Sequence, residues 1–456
     1  MAEINKLEDF IFEKMSATHI PGLSIAAVKE NETVYSRGFC FRDLEYGLRA
    51  TPETLYGVGS VTKSFTALSI MQLAESGKLS LDDYVDKYIP LELKPMGAPV
   101  KVWHLLCHAS GIPALAYAEA LIRYLTGAGD KWIPIASHED IITFMREANE
   151  WALTKPGERW FYLNEGYVIL GYIIEKLSGM NYEDYVREKI LKPLHMNRSF
   201  FKKTDVEVDP NVAVPYIITR DGECKKSVHP YGVYADGGLI SNVLDLANYI
   251  RMYLNRGSYK GTTLISREGI EEMEKPRVPL PLQVFGGESY GYGLMINPNF
   301  FGKKLVGHGG SVLVYTAYIG YIPEKNVGIA VLANGSGYPL SQIGLYGLAL
   351  MIGENPENLP FMKYERTYDL LTGLYETYKE TMKAQVISKG GILQLEIKDK
   401  YTDMIIPLIP EDIEGQVKRF YAIQSGGKLP VEFMVEGEKV ELVYERYRLK
   451  KVGDLK

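Results

Sequence analysis

The sequence predicts an α+β protein, an antiparallel sheet flanked by helices, followed by a smaller all-β barrel. Three observations carry this expectation. Strand patterns stand at both ends of the region from about 20 to 355 with helical patterns between them, which suits a sheet packed against a helical layer. From about Tyr368 onward the chain breaks into short alternating segments split by Gly pairs and charged turns, the pattern of a small barrel or sandwich. A chain of 456 residues also exceeds one ordinary domain, and its apolar content is ample for a core.

Taken in order, the opening "MAEINKLEDFIFEKMSATHIPG" reads as an amphipathic helix, without the basic start and unbroken apolar run of a signal peptide. "PGLSIAAVKENETVYSRGFCFRD" alternates about a polar turn at Lys29 to Glu32, which predicts a hairpin. Helical patterns follow over 61–76, 139–149, 164–178 and 242–256. "YGYGLMIN", "KLVGHGG", "VYTAYIGYIP" and "VGIAVLANG" then read as successive strands joined by Gly and Pro turns. Two prolines in Asn355 to Pro360 mark a linker. The expected division is a domain over 1–355, a linker over 356–367 and a barrel over 368–456.

The net charge of −6 is mild and unclustered, which excludes nucleic acid as an expected partner. No apolar run is long enough to span a bilayer, so no membrane partner is expected and a cytoplasmic location is the default. Cys40, Cys107 and Cys224 lie far apart with no CxxC pair, so no disulfide framework is expected.

The segment "TLYGVGSVTKSFTALSIMQLAESGKLSL" places Ser60 and Lys63 three residues apart, on one face near the start of a helix. Val61, Phe65, Leu68, Ile70 and Met71 make that helix apolar on nearly every side, hence buried. A buried amine loses its proton more readily, and a neutral Lys63 can accept the Ser60 proton. Ser60 at a helix N-terminus also offers its own N–H to a developing oxyanion, and Gly57 and Gly59 permit close approach. The plainer reading, a capping serine beside a snorkelling lysine, fits this segment equally well.

Two further stretches separate the readings. "PGERWFYLNEGYVILGYIIEKLSG" holds Tyr162-Leu163-Asn164 just before a helix, and "KLVGHGGSVLVYTAYIGY" holds His308-Gly309-Gly310 where a strand starts. The ordered set Ser-x-x-Lys, Tyr-x-Asn and basic-x-Gly resembles the serine beta-lactamase and penicillin-binding-protein superfamily, and more narrowly its CubicO group. "WHLLCHASGI", "YADGGLISNVLDLANYI" and "YGYGLM" resemble that group's framework, and the match covers about residues 15 to 350. The tail from 368 resembles the lipocalin-like barrel that some members append. The resemblance implies an all-helical subdomain beside the sheet and no cofactor.

By that resemblance Ser60 is the acylated nucleophile, Lys63 its proton acceptor, and Tyr162 the relay to the leaving group. Asn164 donates to the substrate amide oxygen. The N–H groups of Ser60 and of Ser311, which follows His308-Gly309-Gly310, form the oxyanion hole. A lysine stands at the His308 position in many relatives. Histidine, mostly neutral at pH 7, weakens selection of a substrate carboxylate and points toward D-aminopeptidases and esterases. Asp236 is either a turn residue or a contact for a substrate ammonium.

The two histidines of "HLLCH", His104 and His108, lack a zincin glutamate, and no metal site is expected. No G-x-S-x-G elbow occurs. The expected activity is hydrolysis of small peptides, amides or esters through an acyl-enzyme, with D-amino-acid peptides foremost. A carboxylesterase, a beta-lactam hydrolase and a non-catalytic binding module are the alternatives. The Tyr-rich, weakly charged sequence across the linker is compatible with a homo-oligomer.

Overall fold

A computed structural model describes residues 2–232, 235–398, 400–401 and 403–455. Tyr234, at the head of the "YADGG" stretch, lies outside the described residues. The chain divides into two compact units, 1–354 and 355–456.

The first unit is built on a nine-stranded sheet. Its spatial order is Val278–Pro279, Ser289–Tyr290, Met295–Phe300, Lys303–Ser311, Thr316–Ile322, Val327–Ala333, Gly22–Lys29, Glu32–Asp43 and Leu48–Arg49. Neighbouring strands pair antiparallel throughout. The N-terminal hairpin forms as the alternation predicts, and Gly22–Lys29 pairs with Val327–Ala333, so the two ends of the unit meet at mid-sheet.

Val327–Ala333 is buried at every residue, because helices cover both faces of the sheet. Successive side chains of a strand point to opposite faces. Gly328 faces Ile250 of the helix Val243–Leu254, whereas the next residue, Ile329, meets Gly347 of the helix Leu340–Met351. The helix Ala2–Thr18 packs on Leu340–Met351.

In chain order, between the early and the late strands, comes a helical layer that includes Thr62–Glu75, Val102–Leu106, Tyr117–Thr126, His138–Phe144 and Asn164–Ser178. The pattern over 139–149 is shorter than expected. Met145 closes its helix, and Ala148–Trp151 forms a separate 3-10 turn. Thr62–Glu75 is held on two sides. Phe65 stacks on Tyr249 at 3.8 Å, and Asn164–Ser178 packs along it.

The second unit is a closed barrel of eight strands, from Gly373–Glu376 to Tyr447–Gly453, with first and last strands paired. Closure leaves no free sheet edge. Its alternate residues, including Tyr375, Leu395, Phe420, Phe433 and Leu442, pack into one core. Residues 356–367, expected as a linker, hold the turn Pro356–Asn358 and most of the helix Pro360–Leu371. Tyr368 and Leu371 of that helix join the barrel core.

Candidate active site

Ser60 sits in a 3-10 turn, Gly59–Val61, that runs directly into the helix Thr62–Glu75. The turn begins with Gly59 at φ +52, a conformation that costs a side chain but not glycine. The helix that follows carries Lys63 at 0% exposure among apolar neighbours. A side-chain amine so placed must find partners or lose its charge. It finds three acceptors: Nζ donates to Ser60 Oγ at 3.1 Å, to Asn164 Oδ1 at 2.8 Å and to the Asp236 carbonyl oxygen at 2.6 Å.

Burial draws the Lys63 pKa down from 10.5 to about 8, against the opposing fields of Asp236, Glu119 and Glu165. Nζ also lies 4.8 Å from the centroid of the Tyr162 ring. Burial pushes the Tyr162 phenol up, with the Ser60 hydroxyl working the other way. Tyr162 therefore holds its proton at neutral pH.

The segment Tyr162-Leu163-Asn164 is fixed from below by His108. Its carbonyl oxygen accepts the Phe161 N–H at 2.8 Å, and its Nδ1 accepts the Leu163 N–H at 3.0 Å. The two rings, His108 and Tyr162, lie 4.1 Å apart. His104 uses its Nδ1 on the Lys101 N–H at 2.9 Å. Both histidines of "HLLCH" thus hold backbone.

The turn at Ser60 lies flat against the strand Lys303–Ser311. A Cβ on Gly310 would fall 2.0 Å from the Val58 carbonyl oxygen and 3.0 Å from the Ser60 amide nitrogen. One on Gly59 would fall 2.7 Å from the Ser311 amide nitrogen. Only paired glycines allow this approach, and it brings the Ser60 and Ser311 amides to one place.

A cavity of about 260 Å³ opens over Ser60. It is lined by Tyr162, Asn164, Asp236 and Ser311, together with Glu119 and Arg123 from the helix Tyr117–Thr126. The Oδ1 atom of Asp236 is buried with no hydrogen-bond partner among the described residues, and burial raises its carboxyl pKa while Lys63 opposes the rise. Beneath it Glu165, 1% exposed, is pushed up to about 7 by burial. Glu119, Arg123 and Glu165 are not among the residues expected from the sequence. Only Glu165 carried a signal, a carboxylate directly after Asn164 on an apolar helix.

Lys63 and Gly310 lie just beneath the cavity lining, and His308, expected at the substrate, does not line it either. It is 1% exposed, and both ring nitrogens are engaged. Nδ1 donates to the Gly309 carbonyl oxygen at 2.5 Å, which leaves Nε2 to accept from the Tyr290 hydroxyl at 2.8 Å. Burial lowers its pKa to about 4, so the ring is neutral at pH 7. It supports the strand Lys303–Ser311 from behind.

Comparison with known proteins agrees with this architecture. The beta-lactamase family profile matches residues 7–350, and the Pab87 octamerisation domain profile matches 356–450. The chain is 51% identical to the octameric penicillin-binding protein homologue from Pyrococcus abyssi, covering 98% of this chain and 100% of that one at a TM-score of 0.94. It is 26% identical over 342 residues to protein flp of Staphylococcus aureus strain N315, covering 72% of this chain. It spans 62% of the length of that curated relative. A D-stereospecific amidohydrolase from Streptomyces sp. shares the fold at 24% identity and a TM-score of 0.60, covering 75% of this chain and 96% of that one. Among the described residues no helix is long and apolar enough to cross a membrane. Sheet, helical layer and profile match agree: the chain belongs to the beta-lactamase family.

Proposed function

We propose that this protein is a serine hydrolase that acylates Ser60 and cleaves small amides, with peptides containing D-amino acids the first substrate class to test. The observation that carries the reading is the Lys63 amine, fully buried and 3.1 Å from Ser60 Oγ. Two of its three acceptors, the Asp236 carbonyl and Asn164 Oδ1, can only accept. They keep two N–H groups occupied when the ammonium loses a proton. The lone pair then faces the third direction, toward the Ser60 hydroxyl.

In the reaction, Oγ attacks the amide carbon as its proton passes to Nζ. The oxyanion forms against the Ser60 and Ser311 N–H groups. Tyr162, a protonated phenol, gives its hydrogen to the departing nitrogen and takes one from Lys63 in turn. The C–N bond breaks, and water later releases the acyl group. Asn164 Nδ2 donates one N–H to Glu119 Oε1 at 3.4 Å and keeps the other for a substrate carbonyl. Asp236 with Glu119 offers a negative wall to a substrate ammonium, which favours peptides with a free amino end. The Streptomyces protein that shares the fold, a D-stereospecific amidohydrolase, supports amides of D-residues as first candidates.

We further propose that the protein is a cytoplasmic homo-oligomer. The octamerisation-domain match and the octameric relative support assembly through residues 356–450. Light scattering at several concentrations gives the mass, and a monomer throughout would remove that part. For the chemistry, a fluorophosphonate probe with peptide mapping should add one phosphonyl group at Ser60, and none in Ser60→Ala. A screen pairing D- and L-amino-acid amides with short esters, each with free or acetylated amine, then ranks substrates. No adduct and no turnover of any of them would favour a binding module.

A further inference from the structure

We propose that a second cleft, sharing no residue with the Ser60 cavity, binds a small oxyanion, phosphate or a free carboxylate. It has a volume of about 850 Å³ and lies among the turn at Asn31 to Thr33, the helix Val243–Leu254 and the hairpin of Ser258–Tyr259 with Thr262–Thr263. Arg251 stands in its wall, 9% exposed. Its Nη1 donates to Asn248 Oδ1 at 2.7 Å and its Nη2 donates to Thr33 Oγ1. Both acceptors are neutral. Among the described residues its Nε–H is buried with no acceptor, and no carboxylate pairs with the guanidinium.

A guanidinium taken out of water without a counter-charge is unfavourable, and folds place an anion beside it or leave it solvated. The last-turn carbonyls of the helix supply partial compensation only. Arg251 is neither paired nor solvated, while the cleft at its side is open and polar. The other groups facing it are Lys260, Asn31, Asn255, Ser258 and the single acid Glu32. Lys260 stands at the exposed hairpin tip, its Nζ 5.3 Å from the Tyr259 ring centroid. The cleft therefore carries two cations against one anion, with amide and hydroxyl donors between them. A planar fork beside an exposed ammonium suits an oxyanion with several acceptor oxygens.

Titration calorimetry on the full chain, in chloride buffer of matched ionic strength, tests this with inorganic phosphate and with acetate. The expected result is saturable 1:1 binding of at least one of them, with a rise in melting temperature. Tighter phosphate identifies a tetrahedral anion as the occupant, and tighter acetate a carboxylate. Arg251→Met should weaken binding about tenfold or more, since a charge-assisted contact is lost. Lys260→Ala, at an exposed tip that leaves the fold intact, should weaken it severalfold. The proposal is overturned if neither anion saturates, or if Lys260→Ala and Arg251→Met bind as the parent does. It is also overturned if cross-linking places a carboxylate of a second copy on Arg251 and phosphate does not displace it.

Discussion

The state of Lys63 sets the rate at which Ser60 can be acylated, and this can be measured without knowing the substrate. With a pKa of about 8, roughly 1% of the amine is neutral at pH 6, roughly 10% at pH 7 and roughly 90% at pH 9. The second-order rate constant for fluorophosphonate labelling of Ser60 should then rise about ninetyfold between pH 6 and pH 9 and level off above. Labelling followed by stopped reaction and intact mass, at constant ionic strength, gives the profile. Asp236→Asn removes the largest field that favours the ammonium, so its midpoint should move to lower pH. Lys63→Arg cannot lose its proton in this range and should label at background. The shift also has a sign for stability. Above about pH 8 the folded chain has released this proton, whereas the unfolded lysine keeps it until near 10.5. Stability from this group therefore rises between those values, by about 3 kcal/mol in all. A labelling rate flat from pH 6 to 9, or a midpoint near 10.5, would refute the buried-amine mechanism.

Three more outcomes can be checked directly. Tyr162→Phe removes the donor to the leaving nitrogen, so amide turnover should fall about 10²–10⁴-fold. Activated esters, whose leaving groups need no proton, should lose far less in the same steady-state assay. Gly310→Ala puts a methyl group 2.0 Å from the Val58 carbonyl oxygen and forces the Ser60 and Ser311 amides apart. Labelling and turnover should drop about 10²-fold or more, as for loss of an oxyanion donor, with circular dichroism unchanged. Glu274 is buried and accepts from Arg256 at 2.9 Å, Lys304 at 2.7 Å and Tyr321 at 2.9 Å. Glu274→Ala strands both cations and should cost about 3–5 kcal/mol in urea denaturation.

The sequence by itself determined the parts written in local pattern. The hairpin at Gly22–Asp43, the helix Asn164–Ser178 and the late strands announce themselves through periods of two and 3.6. The spacing of Ser60 and Lys63 puts both on one helix face whatever surrounds them. Tyr162, Asn164 and the glycines before Ser311 were legible as motifs, because those residue types recur wherever this chemistry does. Tertiary structure decided everything that depends on what lies across a gap. His308 looked like a substrate contact from its place in the motif, yet the Tyr290 hydroxyl and the Gly309 carbonyl take both its nitrogens beneath the site. The Tyr162 phenol is pushed above its ordinary range by how deeply it is enclosed, a property of the assembled layers. Glu119 and Arg123 reach the cavity only because the helix Tyr117–Thr126 folds over it. Periodicity reports which face of an element is apolar. Which groups share a low-dielectric space, and so what charge each one carries, follows only from the way those faces close on one another.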